Sequence, residues 1–379
     1  MNKILITCPK GIPPYLSEEV LSLGLPVTAE AVAGIQTEGN MEDAMRLNLY
    51  LRTAHRVLFL IKNFRAEDPN DLYRELYRMP WEDHIFKDGY ISITSSVDNP
   101  TIRDTRFANL KCKDAVADRI KETMGQRPDS GPKRDRAVLD LYWKGDRCSI
   151  YLDTSGEPLS KRGYRKIPLD APMQETLAAA VVKASGWKGK GNFINPMCGS
   201  GTLAVEAALS AIDKAPGLMR DNFSFMHFRG YDKSVWEKLK IQAVRKILKT
   251  IDGRIIATDI RKEAVEAAKK NAAAAGVSEH IEFRACDFTE TDVPAGSGVV
   301  VLNPEYGVRM GDMTGLGDTY KGMGDFFKQK CTGYRGYIFT GNLQLAKMVG
   351  LRTSRKLQFY NSDIECRLLE YELYEGSRK

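Results

Sequence analysis

Short stretches with alternating apolar and polar residues occur throughout the first 165 residues, between segments that have the period of a helix. Alternation is typical of half-buried strands, and the longer period is typical of amphipathic helices. The predicted strands are Lys3–Thr7, Val27–Thr37, Arg56–Asn63, Tyr90–Ser96, Ala137–Trp143 and Cys148–Leu152. The predicted helices are Tyr15–Leu23, Met41–Leu51, Asn70–Arg78 and Phe107–Met124. We therefore expect two small α+β units, the second containing a hairpin at Lys144-Gly145-Asp146-Arg147.

The pattern changes after a polar stretch, Asp153–Arg165, which has no sustained apolar period. We interpret this stretch as a connector rather than core, and place a domain boundary there. Beyond it, helices alternate with short apolar strands, which predicts an α/β fold with an open, mostly parallel sheet. The predicted strands are Asn192–Asn195, Arg254–Ala257, His280–Ala285, Gly298–Leu302, Gly336–Phe339, Lys356–Tyr360 and Glu365–Tyr371. The predicted helices are Met173–Ser185, Thr202–Ile212, Ser234–Leu248, Lys262–Ala275 and Asp318–Lys330.

Composition narrows the class of protein. The 379 residues exceed what one hydrophobic core usually serves. No apolar run reaches the roughly 20 residues that span a bilayer, and no signal peptide is evident, so we expect a soluble, cytoplasmic protein. Seven cysteines without Cys-x-x-Cys spacing and four scattered histidines disfavour disulfides and a metal site. The net charge of +7, with 15 Lys and Arg against 10 Asp and Glu in residues 101–165, permits an RNA partner without requiring one.

Three predicted strands of the second part end in residues suited to a nucleotide-like cofactor. The glycines of Asn195–Thr202 let the backbone turn tightly between a strand and a helix. Asp259 follows the next strand, where a carboxylate accepts hydrogen bonds from ribose hydroxyls, and Asp287, beside the aromatic Phe288, is suited to an adenine amine. Ligands of such sheets bind at the carboxyl ends of strands. A nicotinamide dinucleotide stays open as an alternative, although Ala204 stands where its motif has a third glycine.

The apolar strand Gly298–Leu302 runs into Asn303-Pro304-Glu305-Tyr306, which indicates the kind of atom acted on. An exocyclic base amine is a poor nucleophile because its lone pair is delocalised into the ring. The Asn303 side-chain oxygen and the Pro304 carbonyl are suited to accept its two N–H groups, which favours a pyramidal, nucleophilic nitrogen. Tyr306 is suited to stack on the base. The motif therefore predicts methylation of an exocyclic amine on an unpaired or flipped base.

These motifs resemble the amino-methyltransferases, and the chain as a whole resembles more closely the THUMP-containing 23S rRNA guanine-N2 methyltransferase family. Four further motifs extend the resemblance: Asp153-x-Ser155-Gly156, Lys161-Arg162-Gly163-Tyr164-Arg165, Glu175-Thr176-Leu177-Ala178 and Ala215-Pro216-Gly217. The resemblance implies four regions: a ferredoxin-like domain over 1–64, a THUMP RNA-binding domain over 65–155, a connector over 156–170 and a Rossmann-like class I methyltransferase domain with a seven-stranded sheet over 171–379. It also implies S-adenosyl-L-methionine as donor, N2 of a guanine in 23S rRNA as target, a ribosome assembly intermediate as a possible partner, and a single activity.

The resemblance further implies roles for individual residues. The implied cofactor-binding residues are Gln174, Thr176, Asn195, Pro196, Met197, Gly199, Gly201, Thr202, Asp259, Ile260, Asp287 and Phe288. The implied catalytic residues are Asn303, Pro304 and Tyr306, and the implied substrate contacts are Arg162, Tyr164, Arg165 and Glu305. Two positions depart from the family pattern. Asn195 stands where Asp is common, which predicts a weaker contact to the cofactor ammonium. Glu305 replaces a second proline, which predicts a buried carboxylate beside the base. We expect the chemistry to survive, and the carboxylate either to change the base preference or to engage the guanine N1–H.

Three alternatives stay open: a tRNA guanine-N2 methyltransferase, an adenine-N6 DNA methyltransferase, and a non-catalytic RNA-binding protein with a decayed site. In-line transfer needs no metal and no covalent intermediate, so we interpret Cys198 and Cys286 as packing residues. The predicted phosphate contacts are Lys111, Lys113, Arg119, Lys133, Arg134 and Arg136. We expect a monomer that has no membrane or metal partner.

Overall fold

The computed structural model describes residues 1–167, 169, 173–305 and 313–374, and the chain divides into two compact units. Unit 1 comprises Met1–Cys8, Leu16–Lys161 and Arg220–Gln242. Unit 2 comprises Pro9–Tyr15, Arg162–Met219 and Ala243–Lys379. Each unit therefore includes a segment from the other unit's part of the sequence, while the domain boundaries implied by the resemblance stay a prediction. Among the described residues, no helix has the length and apolar character needed to cross a bilayer.

Unit 1 contains an eight-stranded sheet. Its strands are β1 Asn2–Thr7, β2 Val27–Ala31, β3 Gly34–Gly39, β4 Arg56–Arg65, β5 Tyr90–Asp98, β6 Asp129–Ser130, β7 Ala137–Lys144 and β8 Arg147–Asp153. Its helices are α1 Pro13–Ser22, which begins in unit 2, α2 Met41–Tyr50, α3 Pro69–Tyr77 and α4 Thr105–Met124. The strand order is β2-β3-β1-β4-β8-β7-β5-β6. The two α+β units predicted from the sequence thus share one sheet, because β4 pairs with β8 from Leu58↔Asp153 to Arg65↔Arg147.

Two hairpins of unit 1 show what the sequence pattern detects and what it misses. The predicted hairpin between β7 and β8 is confirmed, and Gly145 at its turn has the left-handed φ of 58° that favours glycine. The prediction of one strand over Val27–Thr37 is wrong, because β2 and β3 form an antiparallel pair across this range. The turn between them contains Val32 and Ala33, neither of which is a typical turn residue.

The interpretation of Asp153–Arg165 as connector rather than core is wrong for its first residues. Thr154 and Ser155 are fully buried, and Asn48 beside them is 1% exposed. The Asn48 Nδ2 donates to Thr154 Oγ1 at 2.8 Å, and its Oδ1 accepts from Ser155 Oγ at 2.6 Å. Thr154 Oγ1 also donates to the Val57 carbonyl, and the Val57 N–H donates to Ser155 Oγ. Polar residues are tolerated here because their polar groups are paired with one another.

Replacing Asn48 by leucine is expected to destabilise unit 1, because the Ser155 hydroxyl would lose its acceptor in a site without water access. Each buried group left unpaired costs roughly 1–3 kcal/mol. Denaturant unfolding of Asn48→Leu and of the wild type measures the loss. The control is Asn63→Leu, since Asn63 is exposed on β4 and its Oδ1 accepts one hydrogen bond, from Ser149 Oγ. Equal losses in both variants would contradict the burial argument.

Unit 2 contains the predicted seven-stranded, mostly parallel sheet, which the structure confirms. Its strands are β9 Asn192–Pro196, β10 Ile255–Asp259, β11 Ile281–Ala285, β12 Gly298–Leu302, β13 Arg335–Thr340, β14 Arg355–Asn361 and β15 Ile364–Glu372. Its helices are α5 Glu175–Ala184, α6 Thr202–Ala211, α7 Lys233–Arg245, which begins in unit 1, α8 Lys262–Ala275, α9 Met313–Lys330 and α10 Leu343–Lys347. The strand order is β11-β10-β9-β12-β13-β15-β14, and only β15 runs antiparallel to its neighbours.

The strand order reverses direction next to β9, and this reversal determines where a ligand can bind. From β9 the chain moves outward through β10 to β11, and it then returns to the other side of β9 as β12. The connections therefore diverge between β9 and β12, which opens a crevice at their carboxyl ends. Both strands are almost entirely buried, and Ile194 and Val300 lie in the core of this unit. The crevice accordingly lies at the carboxyl ends of two buried, paired strands.

Candidate cofactor and target-base site

The loop after β9 has an unusual backbone. Met197, Gly199 and Gly201 have φ values of 58°, 55° and 80°, so three of five successive residues are left-handed. Left-handed backbone is uncommon for a residue such as Met197 and indicates a conformation imposed by its surroundings. The Gly199 N–H donates to Asp259 Oδ2 at 2.9 Å, and the Cys198 N–H donates to the Thr258 carbonyl at 2.8 Å. The loop is thus fixed to the end of β10.

The two predicted acids lie at adjacent strand ends. Asp259 is 7% exposed, and its Oδ1 accepts from the Arg261 N–H at 3.0 Å. A carboxylate with one bond on each oxygen keeps lone pairs for further donors such as hydroxyls. Asp287 Oδ1 accepts from the N–H and the hydroxyl of Thr289. Ile260, beside Asp259, is a large apolar residue that is 69% exposed, and therefore offers a surface to the apolar face of a ligand.

The two loop glycines face different surroundings, and this difference shows where a cofactor fits. A Cβ added at Gly201 would lie 2.8 Å from the Ala268 Cβ of helix α8. A Cβ added at Gly199 would meet nothing within 4 Å, so this glycine borders open space. Asn195 Oδ1 and Thr176 Oγ1 are buried and have no hydrogen-bond partner within the described ranges. Open space beside the glycine, free acceptors and the Asp259 carboxylate together fit a ligand with an ammonium group and ribose hydroxyls.

The target-base motif follows β12, one strand away from this loop. Asn303 Oδ1 is buried, and it has no hydrogen-bond partner among the residues that the structure describes. Two hydrogen bonds link this motif to the rest of unit 2. The Tyr320 hydroxyl donates to the Glu305 carbonyl at 3.5 Å and shares a 2.7 Å hydrogen bond with Thr340 Oγ1. The Glu305 side chain is exposed, so the prediction of a buried carboxylate is wrong for this structure. Tyr306 lies outside the described residues.

Arg162 and Tyr164, predicted to contact substrate, are 1% and 2% exposed and so present no surface to RNA. Arg162 Nη1 lies 2.7 Å from Glu206 Oε2, and the Tyr164 hydroxyl donates to Glu206 Oε1 at 2.8 Å. Burial, with the nearby Glu206 charge, raises the pKa of Tyr164 well above its usual value, so it stays a donor. Arg165 Nε donates to Glu175 Oε1 at 3.0 Å. These contacts attach residues 162–165 of the connector to helices α5 and α6.

Two residues of this arrangement escaped the sequence analysis. Glu206 is a carboxylate in the otherwise apolar helix α6, and a lone charge in such a helix is a signal for a buried partner. Asn271 is a buried polar residue of helix α8, 1% exposed and followed by four alanines. Its Oδ1 accepts from the N–H groups of Lys166 and Ile167, and its Nδ2 donates to the Ser200 carbonyl at 3.0 Å. Asn271 therefore joins residues 166 and 167 to the loop after β9, residues 197–201, which we call the cofactor loop.

The predicted phosphate contacts on unit 1 fall into two groups. Lys113 and Arg119 of helix α4 are engaged in ion pairs, the latter with Glu82 at 2.6 Å. Lys111 lies over the ring of Phe107, which is 46% exposed. Lys133, Arg134 and Arg136 form no ion pair within the described ranges, and Lys133 and Arg136 are exposed. These residues and Lys111 are the better placed for phosphate groups.

Cys198 and Cys286 are buried, and burial beside Asp259 raises the pKa of the Cys198 thiol. A thiol that resists ionisation is a poor nucleophile, which fits the packing role predicted for Cys198. The described part of the chain shows no cluster of three or more His, Cys, Asp or Glu side chains suited to a metal.

Sheet order, cofactor loop and acids together define a class I methyltransferase that uses S-adenosyl-L-methionine. Residues 162–370 match the RMKL-like methyltransferase domain, residues 3–58 the RlmL ferredoxin-like domain and residues 66–153 the THUMP domain. The chain belongs to this RMKL-like methyltransferase family, which confirms the resemblance of the motifs.

Relatives cover almost all of this chain. It is 36% identical over 98% of its length to ribosomal RNA large subunit methyltransferase K/L of Syntrophotalea carbinolica, and 37% identical over 98% to that of Psychromonas ingrahamii. The matched parts are 54% and 50% of those proteins, so the chain spans about half the length of these relatives. The putative RNA methyltransferase slr0064 of Synechocystis is 31% identical, over 97% of this chain and 96% of that protein.

Solved structures share the fold over the whole chain. SMU.472, a putative methyltransferase complexed with SAH, has a TM-score of 0.89 and 25% identity, covering 100% of this chain and 99% of that one. A predicted N6-adenine-specific DNA methylase from Listeria monocytogenes has a TM-score of 0.88 and 29% identity, covering 98% and 96%. The SAH complex supports the cofactor that the site geometry indicates.

The two loop glycines provide a matched pair of variants for locating the cofactor. Gly201→Ala is expected to lower the melting temperature, because its methyl group meets Ala268 in a left-handed backbone. Gly199→Ala is expected to cost only the roughly 1–2 kcal/mol of a left-handed alanine, and to reduce the affinity for S-adenosylhomocysteine by filling open space. Thermal unfolding and calorimetric titration measure the two effects. Undiminished affinity in Gly199→Ala would place the cofactor elsewhere.

Arg162→Met is expected to lower the free energy of unfolding by roughly 3–5 kcal/mol, because it leaves the buried Glu206 without its cation. RNA affinity of the folded variant should stay unchanged, since Arg162 is 1% exposed. Lys161→Met is the control, as this neighbouring cation has a side chain 70% exposed. Denaturant unfolding and RNA binding are compared for both. Wild-type stability with weakened RNA binding in Arg162→Met would support the substrate contact predicted from the sequence.

Proposed function

We propose that this chain transfers a methyl group from S-adenosyl-L-methionine to the exocyclic N2 amine of a guanine in 23S rRNA. The observation that carries the proposal is the buried Oδ1 of Asn303 at the carboxyl end of β12, which has no hydrogen-bond partner within the described part of the chain. A buried acceptor without a partner is costly to maintain, which favours a role in binding a ligand N–H group. Its position one strand from the cofactor loop supports an acceptor site for the methyl group.

The residues of this chain would activate the amine by holding it. Asn303 Oδ1 and the Pro304 carbonyl accept its two N–H groups, which draws the nitrogen lone pair out of conjugation with the ring. The carboxamide of Asn303 is neutral and very weakly basic, so it orients the amine without acting as a base. The nitrogen that gains the methyl group becomes cationic and strongly acidic, and it would lose its proton to water. The bound cofactor supplies an electrophilic methyl group on its sulfonium. Gln174, Thr176, Asn195, Gly199 and the acids Asp259 and Asp287 are the proposed residues that hold it.

Several features support RNA and guanine as the target. The THUMP match over residues 66–153 and the relatives named as ribosomal RNA methyltransferases favour RNA. Glu305 is exposed beside the Asn303-Pro304 pair, and a carboxylate can accept the N1–H of guanine. Adenine has an acceptor at N1 and would leave this carboxylate unpaired. Because a paired guanine hides its amine, the base must be unpaired or flipped, at a cost of a few kcal/mol.

Asn303→Ala is expected to lower kcat by roughly 10²–10³-fold, the scale of losing one preorganised polar contact to the transition state. The affinity for S-adenosylhomocysteine should change little, since Asn303 follows β12, whereas the cofactor loop follows β9. Labelled methyl incorporation into unmodified 23S rRNA, with mass spectrometry of the nucleosides, measures activity and product. Asn361→Ala is the matched control, because Asn361 ends β14 at the far edge of the sheet.

The product identifies the function. N2-methylguanosine in 23S rRNA that is lost in Asn303→Ala would support the proposal. The same nucleoside in tRNA alone would contradict the rRNA target and indicate a tRNA methyltransferase. N6-methyladenine in DNA would contradict both and agree with the name of the Listeria structure. Binding of S-adenosylhomocysteine without incorporation into any nucleic acid would leave a non-catalytic RNA-binding protein.

A further inference from the structure

The hydrogen-bond ladder between β9 and β12 lacks one backbone donor. In a parallel ladder, every second residue of a strand donates its N–H to the same neighbour. The Asn192 N–H donates to the Ser297 carbonyl at 3.0 Å, and Ile194 pairs with Val300. By this repeat the next donor of β9 is residue 196, and its acceptor is the carbonyl of Val301. Residue 196 is a proline, which has no N–H.

The side chain of Asn195 fills this position in the ladder. Its Nδ2 donates to the Val301 carbonyl at 2.8 Å, and the side chain is fully buried. A second backbone carbonyl, that of Pro196, lies 3.5 Å from the same nitrogen. Two carbonyl oxygens on one side of the carboxamide require its NH₂ group there and leave its Oδ1 on the other side. Val301 is therefore bonded to β9 although the backbone supplies no donor.

We propose that Asn195 is a positioning residue that joins the cofactor loop to the strand holding the target amine. Its NH₂ group donates in place of the N–H that Pro196 lacks, and it bonds to Val301, two residues before Asn303. Its Oδ1, which lacks a hydrogen-bond partner within the described residues, is left to accept from the cofactor ammonium. The link between the Val301 hydrogen bond and the position of the target amine rests on the proposed function, because it assumes that Asn303 binds that amine.

This role explains why asparagine rather than aspartate suits this chain. An ionised aspartate has two acceptor oxygens and no donor, so one of them would face the Val301 carbonyl. That arrangement removes a hydrogen bond and places a negative charge against a carbonyl dipole in a buried site. A carboxylate at position 195 would attract the cofactor ammonium more strongly, yet it would release the end of β12. The two effects of an Asn195→Asp change thus have opposite signs on cofactor affinity and on strand pairing.

The test is a double-mutant cycle that restores the missing backbone donor. The wild type, Asn195→Asp, Pro196→Ala and the double variant are unfolded by heat without cofactor, and the transition of unit 2 is identified as the one that S-adenosylhomocysteine raises. Asn195→Asp is expected to lower this melting temperature by several degrees. The double variant should regain part of the loss, because Pro196→Ala supplies a backbone N–H for the Val301 carbonyl. Pro196→Ala alone measures the cost of removing the ring.

A second pair of variants avoids the buried charge in case Asn195→Asp does not fold. Asn195→Ala removes the donor without adding an anion, and Asn195→Ala with Pro196→Ala restores a donor in the same way. The proposal predicts recovery by Pro196→Ala in both backgrounds. No recovery in either background would overturn the ladder assignment. Asn195→Asp with the wild-type melting temperature and tighter S-adenosylhomocysteine binding would show that Asn195 serves the cofactor alone.

Turnover provides a readout that separates positioning from simple stability. At saturating cofactor, and at a temperature where every variant is folded, Asn195→Asp should lower kcat without lowering S-adenosylhomocysteine affinity, and Pro196→Ala should restore part of kcat. A uniform loss of cofactor affinity with unchanged kcat would overturn the coupling to the target strand. If the wild type shows no methyl transfer, the proposed function fails, whereas the melting cycle still decides whether Asn195 bonds to Val301.

Discussion

The parallel pairing of β9 with β12 is the interaction on which the site depends. Each strand ends at a different part of the proposed site, β9 at the cofactor loop and β12 at Asn303. Because neighbouring strands lie about 4.8 Å apart, their ends meet only if the register of the pair is fixed. The register holds Ile194 opposite Val300, both fully buried. Both strands are buried on both faces, so a slip by one residue would exchange the side chains packed on each face and would shift Asn303 along β9 by about 3.3 Å.

Buried polar groups on the helices extend this constraint to the loop itself. Glu206 holds the connector through Arg162 and Tyr164, and Asn271 holds it through two backbone N–H groups while bonding to the Ser200 carbonyl. Buried polar groups are costly when unpaired, so few connector conformations satisfy all of them together. The cofactor loop is therefore held at Ser200 by a side chain outside its own motif.

Much of this architecture was predictable from local patterns, and the misses share one cause. Strand ends, glycines and acids are local signals, so the positions of the Asn195–Thr202 loop, Asp259 and Asn303 at the ends of β9, β10 and β12 were predictable. Their binding roles stay predictions. The burial of Thr154 and Ser155 depends on Asn48, about a hundred residues away, and the substrate role given to Arg162 ignored Glu206 on another helix. A sequence pattern predicts polar residues to be exposed whenever their hydrogen-bond partners are far away along the chain. Asn195 was judged against a family pattern, while its donor role follows from the proline beside it.

The exposed position of Glu305 changes how base selection should be understood. Under the proposed function, Asn303 and the Pro304 carbonyl accept from an amine with two N–H groups, a feature that guanine, adenine and cytosine share. A carboxylate in water is fully hydrated, and a docking base removes part of that hydration. Guanine returns a hydrogen bond through N1–H, whereas adenine presents a lone pair and leaves the charge unpaired, at a cost of roughly 1–3 kcal/mol or more. Discrimination of this kind rejects the wrong base as it enters, so preference for guanine needs no carboxylate buried in advance.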